Sequence, residues 1–514
     1  MLWTGGDFLA RQSLFHGTLL LTAASLILRG STMCFQVYLS NQIGAAGIGL
    51  LQLISSVGFL AMTLGSAGVR VASMYLTAEE YGARRPGGMR KALYCCLIYG
   101  LAVSVVGGFA MYHASAWIAD VWIQDPRAAS SLRIMALTMP FTCLWSIMSG
   151  YFTACSKLRQ LVWVEFIDQA ICIGSTVALL LLWAGADTER ACVTITLGNS
   201  IATVLTLFLL LGLALSDRKA EIPKGLSMWR RLVKLCVPLA ANDALRSGLS
   251  TTEQMLIPRG LARSGGSSEA AIASYGTIHG MVFPVMMFPS VLIYSLSDLL
   301  VPELAKCRAA KDTRRIRALS DRCLRMGLLF AAAVAGLCFS LSGPLGALLY
   351  HSEEASLYLK LFAPLVLVLY MDAMVDGMHK GMGQQVYCVR VNTFTNLMDV
   401  VLLWLLLPRW GIAGYFFTFT LTHLLNFYLS IARLMTITGY TPPLSFILKI
   451  LLCALAAALL TGAISPLVAA PLSACLIGTL IYLISFALLV SLTSSLTAAD
   501  IAWLRSVLRI GKIH

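Results

Sequence analysis

Charge is scarce in this sequence: Asp, Glu, Lys and Arg make up 12% of 514 residues, about half the share usual in soluble domains. That scarcity excludes a soluble multidomain protein, because a chain of this length would need far more polar surface than these residues supply. It also excludes disorder, which combines low hydrophobicity with high net charge. Long polar stretches are missing as well. The longest, near residues 215–231 and 302–322, are too short to hold a catalytic domain. There is no GxSxG, HExxH, Walker or Rossmann fingerprint in a sensible context, and no CxxC pair or Cys–His set at zinc spacing. The sequence therefore reads as a non-enzyme with no cofactor and no metal centre.

What is abundant is apolar. Hydrophobic residues reach 58%, and mean hydropathy is +0.80. The apolar residues gather in runs long enough to cross a bilayer as helices, unlike the alternating ten-residue strands of outer-membrane barrels. About fourteen such runs follow one another, the first near Leu14 and the last from Ala470. The first is too long for a secretory signal and has no small-residue cleavage site. The expected fold class is all-α, a polytopic membrane protein of about fourteen transmembrane helices.

Net charge is +14, and its placement argues against a nucleic-acid partner. Basic residues cluster in short connections, as at Arg84-Arg85 and at Arg314-Arg315 with Arg317. With the N-terminus inside, Lys and Arg favour the cytoplasmic side roughly four to one, which places both termini in the cytoplasm. The fourteen cysteines lie mostly in apolar segments and read as small core residues. Thr77-Ala78-Glu79-Glu80, ahead of Pro86-Gly87-Gly88, reads as a short amphipathic cap with an acidic first turn.

A weak internal repeat lays the fourth and fifth spans on the tenth and eleventh, Pro140 on Pro364 and Gln160 on Gln384. It divides the chain into two similar halves, residues 1–231 (spans one to six) and 232–440 (spans seven to twelve). Residues 441–514 follow with two extra spans and a short cytoplasmic tail. Related halves around a central cavity are a common plan for alternating-access transporters.

Charges inside spans need a reason, because each costs about 2.5–3.5 kcal/mol at mid-bilayer on insertion scales. Arg29 lies mid-span and Arg70 near the end of the second span; both are candidate anion contacts, with snorkelling the competing reading for Arg70. On the seventh span Asn242, Arg246, Ser250 and Glu253 share one helical face with Asp243 beside them, so Arg246 either contacts substrate or pairs with Asp243. Asp372, Asp376 and His379 follow i, i+4, i+7 on the tenth span, as Asn392, Asn396 and Asp399 do on the eleventh. Facing stripes of this kind make either an ion-coupling site for Na⁺ or H⁺ or a structural hydrogen-bond network, and Glu253 joins the coupling candidates. Glu165, Asp168 and Gln169 read as an interfacial patch, and Pro238, Pro284 and Pro289 as hinge candidates.

The segment Asn41-Gln42-Ile43-Gly44-Ala45-Ala46-Gly47-Ile48-Gly49-Leu50-Leu51-Gln52 is similar to the start of SpoVB-type stage V sporulation and polysaccharide-export proteins. Thr63-Leu64 with Ala67-Gly68-Val69, Phe288-Pro289-Ser290, Leu300-Val301-Pro302, and Ala363-Pro364 through Gly377, Gly381 and Gly383 continue the resemblance along nearly the whole chain. These proteins share a superfamily with MATE drug transporters and MurJ-type lipid II flippases. The resemblance implies two six-helix lobes of MOP/MATE type around a cavity, with two C-terminal helices offering a groove for a polyprenyl chain. It implies a bacterial inner-membrane flippase for an undecaprenyl-pyrophosphate-linked oligosaccharide or peptidoglycan precursor, working in cell-wall biogenesis or sporulation. It also places Arg29 on a first-helix arginine of the MurJ-type cavity, and guanidinium forks suit a diphosphate. One departure is that Phe283 and Pro284 stand where those flippases carry a second-lobe arginine. The expected partners are a lipid-linked sugar, the bilayer and a Na⁺ or H⁺ ion. The alternative is a cation-coupled multidrug antiporter of the MATE type, for which the last two spans are dispensable. An intramembrane transferase would need a paired acid and base on one membrane face, which the sequence does not offer.

Overall fold

The computed structural model of the protein describes residues 5–66, 68–184, 187–215, 227–468 and 470–493. The expected C-terminal tail, the connection at 216–226 and Ala67 of the Ala-Gly-Val motif lie outside the described residues. Regular structure among the described residues is helical throughout. In chain order the helices are α1 (Gly5–Ser66), α2 (Val69–Gly82), α3 (Pro86–Trp117), α4 (Ala128–Ala154), α5 (Leu158–Leu179) and α6 (Thr188–Leu215). Then come α7 (Ser227–Arg263), α8 (Ser268–Gly276), α9 (Phe283–Met287), α10 (Ser290–Ala309), α11 (Thr313–Ser340) and α12 (Ser342–Tyr350). The rest are α13 (Glu353–Phe362), α14 (Leu365–Gly381), α15 (Gln385–Thr438), α16 (Leu444–Ile464) and α17 (Pro471–Leu492).

Among the described residues, ten helices are long and apolar enough to span a membrane, and eleven if α13 and α14, bent by 53°, make one span. Two of the ten are double. Gly44 (φ 70°) breaks α1 and Gly411 (φ 54°) breaks α15, in a left-handed region that side chains with a Cβ rarely enter. The Gly44-Ala45-Ala46-Gly47 segment thus turns the chain on one residue. With these breaks, and with the more polar α7 counted, the helices are consistent with fourteen spans. Large apolar side chains stand exposed on the outer faces, among them Phe109, Leu182 and Leu476 at 67%, 83% and 65%. On a soluble protein such faces would drive aggregation, whereas in a bilayer they meet lipid. This is a multi-pass membrane protein.

The chain forms two compact units, residues 1–276 and 277–514. In the first, α7 packs antiparallel on the second half of α1. The Ser247 hydroxyl lies 3.1 Å from that of Thr63, and the Thr251 hydroxyl donates to the Ser56 carbonyl at 3.2 Å. Packing therefore groups α7 with the first six spans, whereas the repeat groups it with the later ones. Comparable close packing occurs in both units. The Ser73 hydroxyl donates to the Ile147 carbonyl at 3.2 Å, and Ser297 to that of Ala373 at 3.3 Å. Gly150 lies against the Arg70 carbonyl and Gly377 against the Ser297 hydroxyl, the small-residue contact by which membrane helices approach closely. The two hairpins also turn on left-handed residues, Ser156 and Gly383. The repeat-matched prolines differ: Pro140 stays inside α4, whereas Pro364 sits at the break between α13 and α14.

Twelve of the fourteen cysteines are buried and all are free, as their apolar settings suggested. The boundary between the units falls where α8 passes into a π-helical turn, Thr277–Val282, followed by Pro284 in α9 and Pro289 ahead of α10. One expectation needs correction. Glu79 and Glu80 lie in the last turn of α2, which runs from Val69 to Gly82, and not in the first turn of a separate cap. An acidic last turn opposes the helix dipole. Here both carboxylates pair with Arg231 of α7, Glu80 at 3.6 Å, and Glu80 also abuts Gly88 in the first turn of α3.

Candidate functional site

The tenth span carries two half-buried acids and the eleventh a buried one, and their link is a third helical segment. On α14 an Asp372 carboxylate oxygen accepts from the Asn426 amide at 2.9 Å; on the first half of α15 Asp399, 5% exposed, accepts from the Thr422 hydroxyl at 2.6 Å. Asn426 and Thr422 stand one turn apart on the second half of α15. The Thr395 hydroxyl reaches the Asn426 amide oxygen at 3.5 Å, and His379 bonds the Ser430 carbonyl at 2.9 Å. Thr418, Thr422, Asn426 and Ser430, all buried, thus form an i, i+4 polar stripe that joins the two acidic helices. Sequence reading passed over this stripe, although its four-residue spacing was present to be found. One oxygen each of Asp372 and Asp376 is buried with no hydrogen-bond partner among the described residues. Asn396 is half-buried on the same segment of α15. Among the described residues no three His, Cys, Asp or Glu side chains could together hold a metal ion. A bound cation would therefore meet at most two such side chains at once and lean otherwise on neutral amide and hydroxyl oxygens.

The expected cavity arginines are all solvent-accessible. Arg29 lies exposed on α1, and Arg70 is exposed in the first turn of α2, directly after left-handed Gly68. Glu165 of α5 is half-buried. Asp168 accepts from the Thr206 hydroxyl of α6 at 2.8 Å. On α7 Arg246 is exposed, and no ion pair joins it to Asp243 among the described residues. Its stripe, with Asn242, Ser250 and half-buried Glu253, excludes Ser247 and Thr251, which hold α1. An arginine that sequence reading did not single out, Arg259, donates from Nη2 to the carbonyls of Val121, at 2.5 Å, and Trp122. It closes the end of the π-helical turn Ile118–Ile123.

The last two helices pack on α11. Phe446, Ile450 and Ala457 of α16 and Tyr482 and Phe486 of α17 are buried with Ala332, whose carbonyl accepts from the Tyr482 hydroxyl at 3.2 Å. Beside them an apolar cleft of about 400 Å³ is lined by Leu328, Leu367, Met371, Phe427 and Ile447, with Arg325 at its wall. Arg325 pairs with Asp321 at 2.7 Å and lies 4.8 Å from the centre of the Phe446 ring; Asp321 also accepts from the Tyr440 hydroxyl.

Solved structures of similar fold include a flippase and a drug transporter. The chain matches a structure described as lipid II flippase MurJ in an inward closed conformation, with a TM-score of 0.71, 14% identity, and 92% of this chain and 98% of that one covered. An inward-facing multidrug resistance MATE family transporter of the MOP superfamily matches with a TM-score of 0.65, 13% identity, and 80% and 99% covered. Among curated sequences, stage V sporulation protein B of Bacillus subtilis is 22% identical over 79% of this chain and 80% of its own length. Sporulation protein YkvU of the same organism is 21% identical over 70% and 82%. The expected MOP/MATE-type architecture and SpoVB likeness are thereby both met. Residues 14–307 match the family model described as polysaccharide biosynthesis protein, and the chain belongs to that family.

Proposed function

We propose that this protein is a bacterial inner-membrane flippase that moves an undecaprenyl-pyrophosphate-linked oligosaccharide or peptidoglycan precursor outward by alternating access, with both termini in the cytoplasm. The observation that carries the reading is the extent of the likeness: the flippase fold accounts for 92% of the chain, the drug-transporter fold for 80%. The difference is of the order of the α16–α17 hairpin. That hairpin borders the apolar cleft, which suits a polyprenyl tail.

Arg29, Arg70 and Arg246 contact the diphosphate. Their guanidinium forks replace the water that a diphosphate loses on entering a bilayer. Asp372, Asp376, Asn396 and Asp399 supply the coupling site for Na⁺ or H⁺, with Glu253 a separate coupling candidate in the first unit, and the unpartnered oxygens of Asp372 and Asp376 support that role. The π-helical turn and prolines between residues 277 and 289 provide the bend for lobe movement.

The test is transfer of a fluorescent undecaprenyl-pyrophosphate oligosaccharide in proteoliposomes, read with a reagent confined to the outer leaflet. Wild type transfers and Arg29→Ala does not. Transfer by Arg29→Ala at the wild-type rate contradicts the anion-site assignment.

A further inference from the structure

The first unit has an open cavity of about 410 Å³ lined by α1, α3, α4, α5 and α6, within the usual range for ligand pockets. Its lining holds no Asp, Glu, Lys, Arg or His. What lines it instead, beside Ser55, is a set of back-bonded hydroxyls: Thr32, Thr138, Thr142, Thr196, Ser200 and Thr203. Each donates its proton to the carbonyl four residues before it, at 2.8–3.1 Å. Back-bonding of this kind consumes the donor and leaves the oxygen lone pairs as acceptors. The cavity is thus a charge-free wall rich in acceptors, with the Gln36 and Asn199 amides adding donors as well and Phe35, Phe59 and Met139 as apolar surface.

That wall selects by chemistry. A cation or an anion would enter with no opposite charge to offset its lost hydration. A purely apolar group would leave the acceptors unmet. A neutral group bearing many O–H and N–H donors, with C–H surface between them, satisfies both requirements, and a sugar is such a group. Thr32 and Gln36 follow Arg29 by three and seven residues, so all three share one face of α1. Thr32 rises only about 4.5 Å beyond Arg29 along the helix.

We infer that this cavity is the sugar subsite, taking the neutral headgroup of a ligand whose diphosphate lies at Arg29. The inference rests on the flippase reading for the phosphate, and on the cavity for the sugar.

The test is binding by the full-length protein in nanodiscs of two probes, undecaprenyl diphosphate and undecaprenyl diphosphate carrying N-acetylglucosamine. Thr138→Val/Thr142→Val removes two acceptors at nearly constant shape, and Thr138→Ser/Thr142→Ser restores them. Wild type prefers the glycosylated probe by about tenfold or more, the Val pair loses that preference while binding the bare diphosphate as before, and the Ser pair regains it. Equal preference in wild type and the Val pair overturns the inference and leaves the flippase reading standing. Failure of wild type to bind the bare diphosphate overturns both. Binding of ethidium that the Val pair alone loses assigns the cavity to cations, and overturns the inference as well.

Discussion

Asp399 shows how a single buried residue carries both a stability term and a candidate function. Its carboxylate is 5% exposed and holds the Thr422 hydroxyl at 2.6 Å. Thr422→Val leaves the acid buried without its donor, which costs about 1–3 kcal/mol. The expected outcome is a lower unfolding temperature in a thermal scan of the detergent-solubilised protein. The double variant Thr422→Val/Asp399→Leu removes both partners and recovers part of that loss, because no polar group is then stranded. An unchanged midpoint for the single variant means that the hydrogen bond contributes nothing. The acids themselves were legible in the sequence, since a charge stands out in an apolar run. Their partners were passed over: Thr422, Asn426 and Ser430 keep a four-residue spacing, but as neutral residues in a hydrophobic segment they do not stand out, and the fold shows what their shared face meets. Arg259 was missed for another reason, because near the end of a span an arginine looks like a topology signal.

At the scale of elements, glycine decides where helices bend and how closely they pass. Gly49 of α1 lies so near α8 that an added Cβ would stand 2.1 Å from the Ile272 carbonyl oxygen, and one on Gly276 would stand 2.1 Å from that of Ala45. Backbone atoms cannot swing aside as a side chain can. Gly49→Ala is expected to destabilise the protein by about 1–3 kcal/mol. Gly174→Ala, whose Cβ would meet nothing within 4 Å, is expected to be neutral or stabilising by up to about 1 kcal/mol. Thermal unfolding of the two variants side by side measures the difference, and equal midpoints would contradict the close approach. Span existence was readable because a bilayer demands long apolar helices. The end of α2 was misread because the residue that neutralises Glu79 and Glu80, Arg231, is about 150 positions away in sequence, beyond any local pattern. The break at Gly44 was readable because a glycine-rich segment between two apolar runs has few other uses.

On the scale of the whole molecule, the question is what the last two helices add to a transporter fold. They bury Phe446, Tyr482 and Phe486 against α11, yet the face they cover is apolar and would meet lipid tails if they were removed. A chain ending at Tyr440 is therefore expected to insert and fold, and to lose only what the hairpin provides. The polytopic all-α fold and the family likeness were legible in the sequence. The grouping of α7 with the first six spans was not, because it depends on hydroxyl contacts of Ser247 and Thr251 that no repeat alignment contains.

The central claim is that the cargo is a lipid-linked sugar and not a soluble cationic drug. The most direct measurement places wild type and the 1–440 truncation in proteoliposomes with a membrane potential and a Na⁺ gradient. Transfer of fluorescent undecaprenyl-pyrophosphate oligosaccharide and efflux of ethidium are then recorded from the same preparation. The account predicts sugar-lipid transfer by wild type, its loss in the truncation, and no ethidium efflux by either. Ethidium efflux by both proteins, with no sugar-lipid transfer, would contradict it and establish the antiporter.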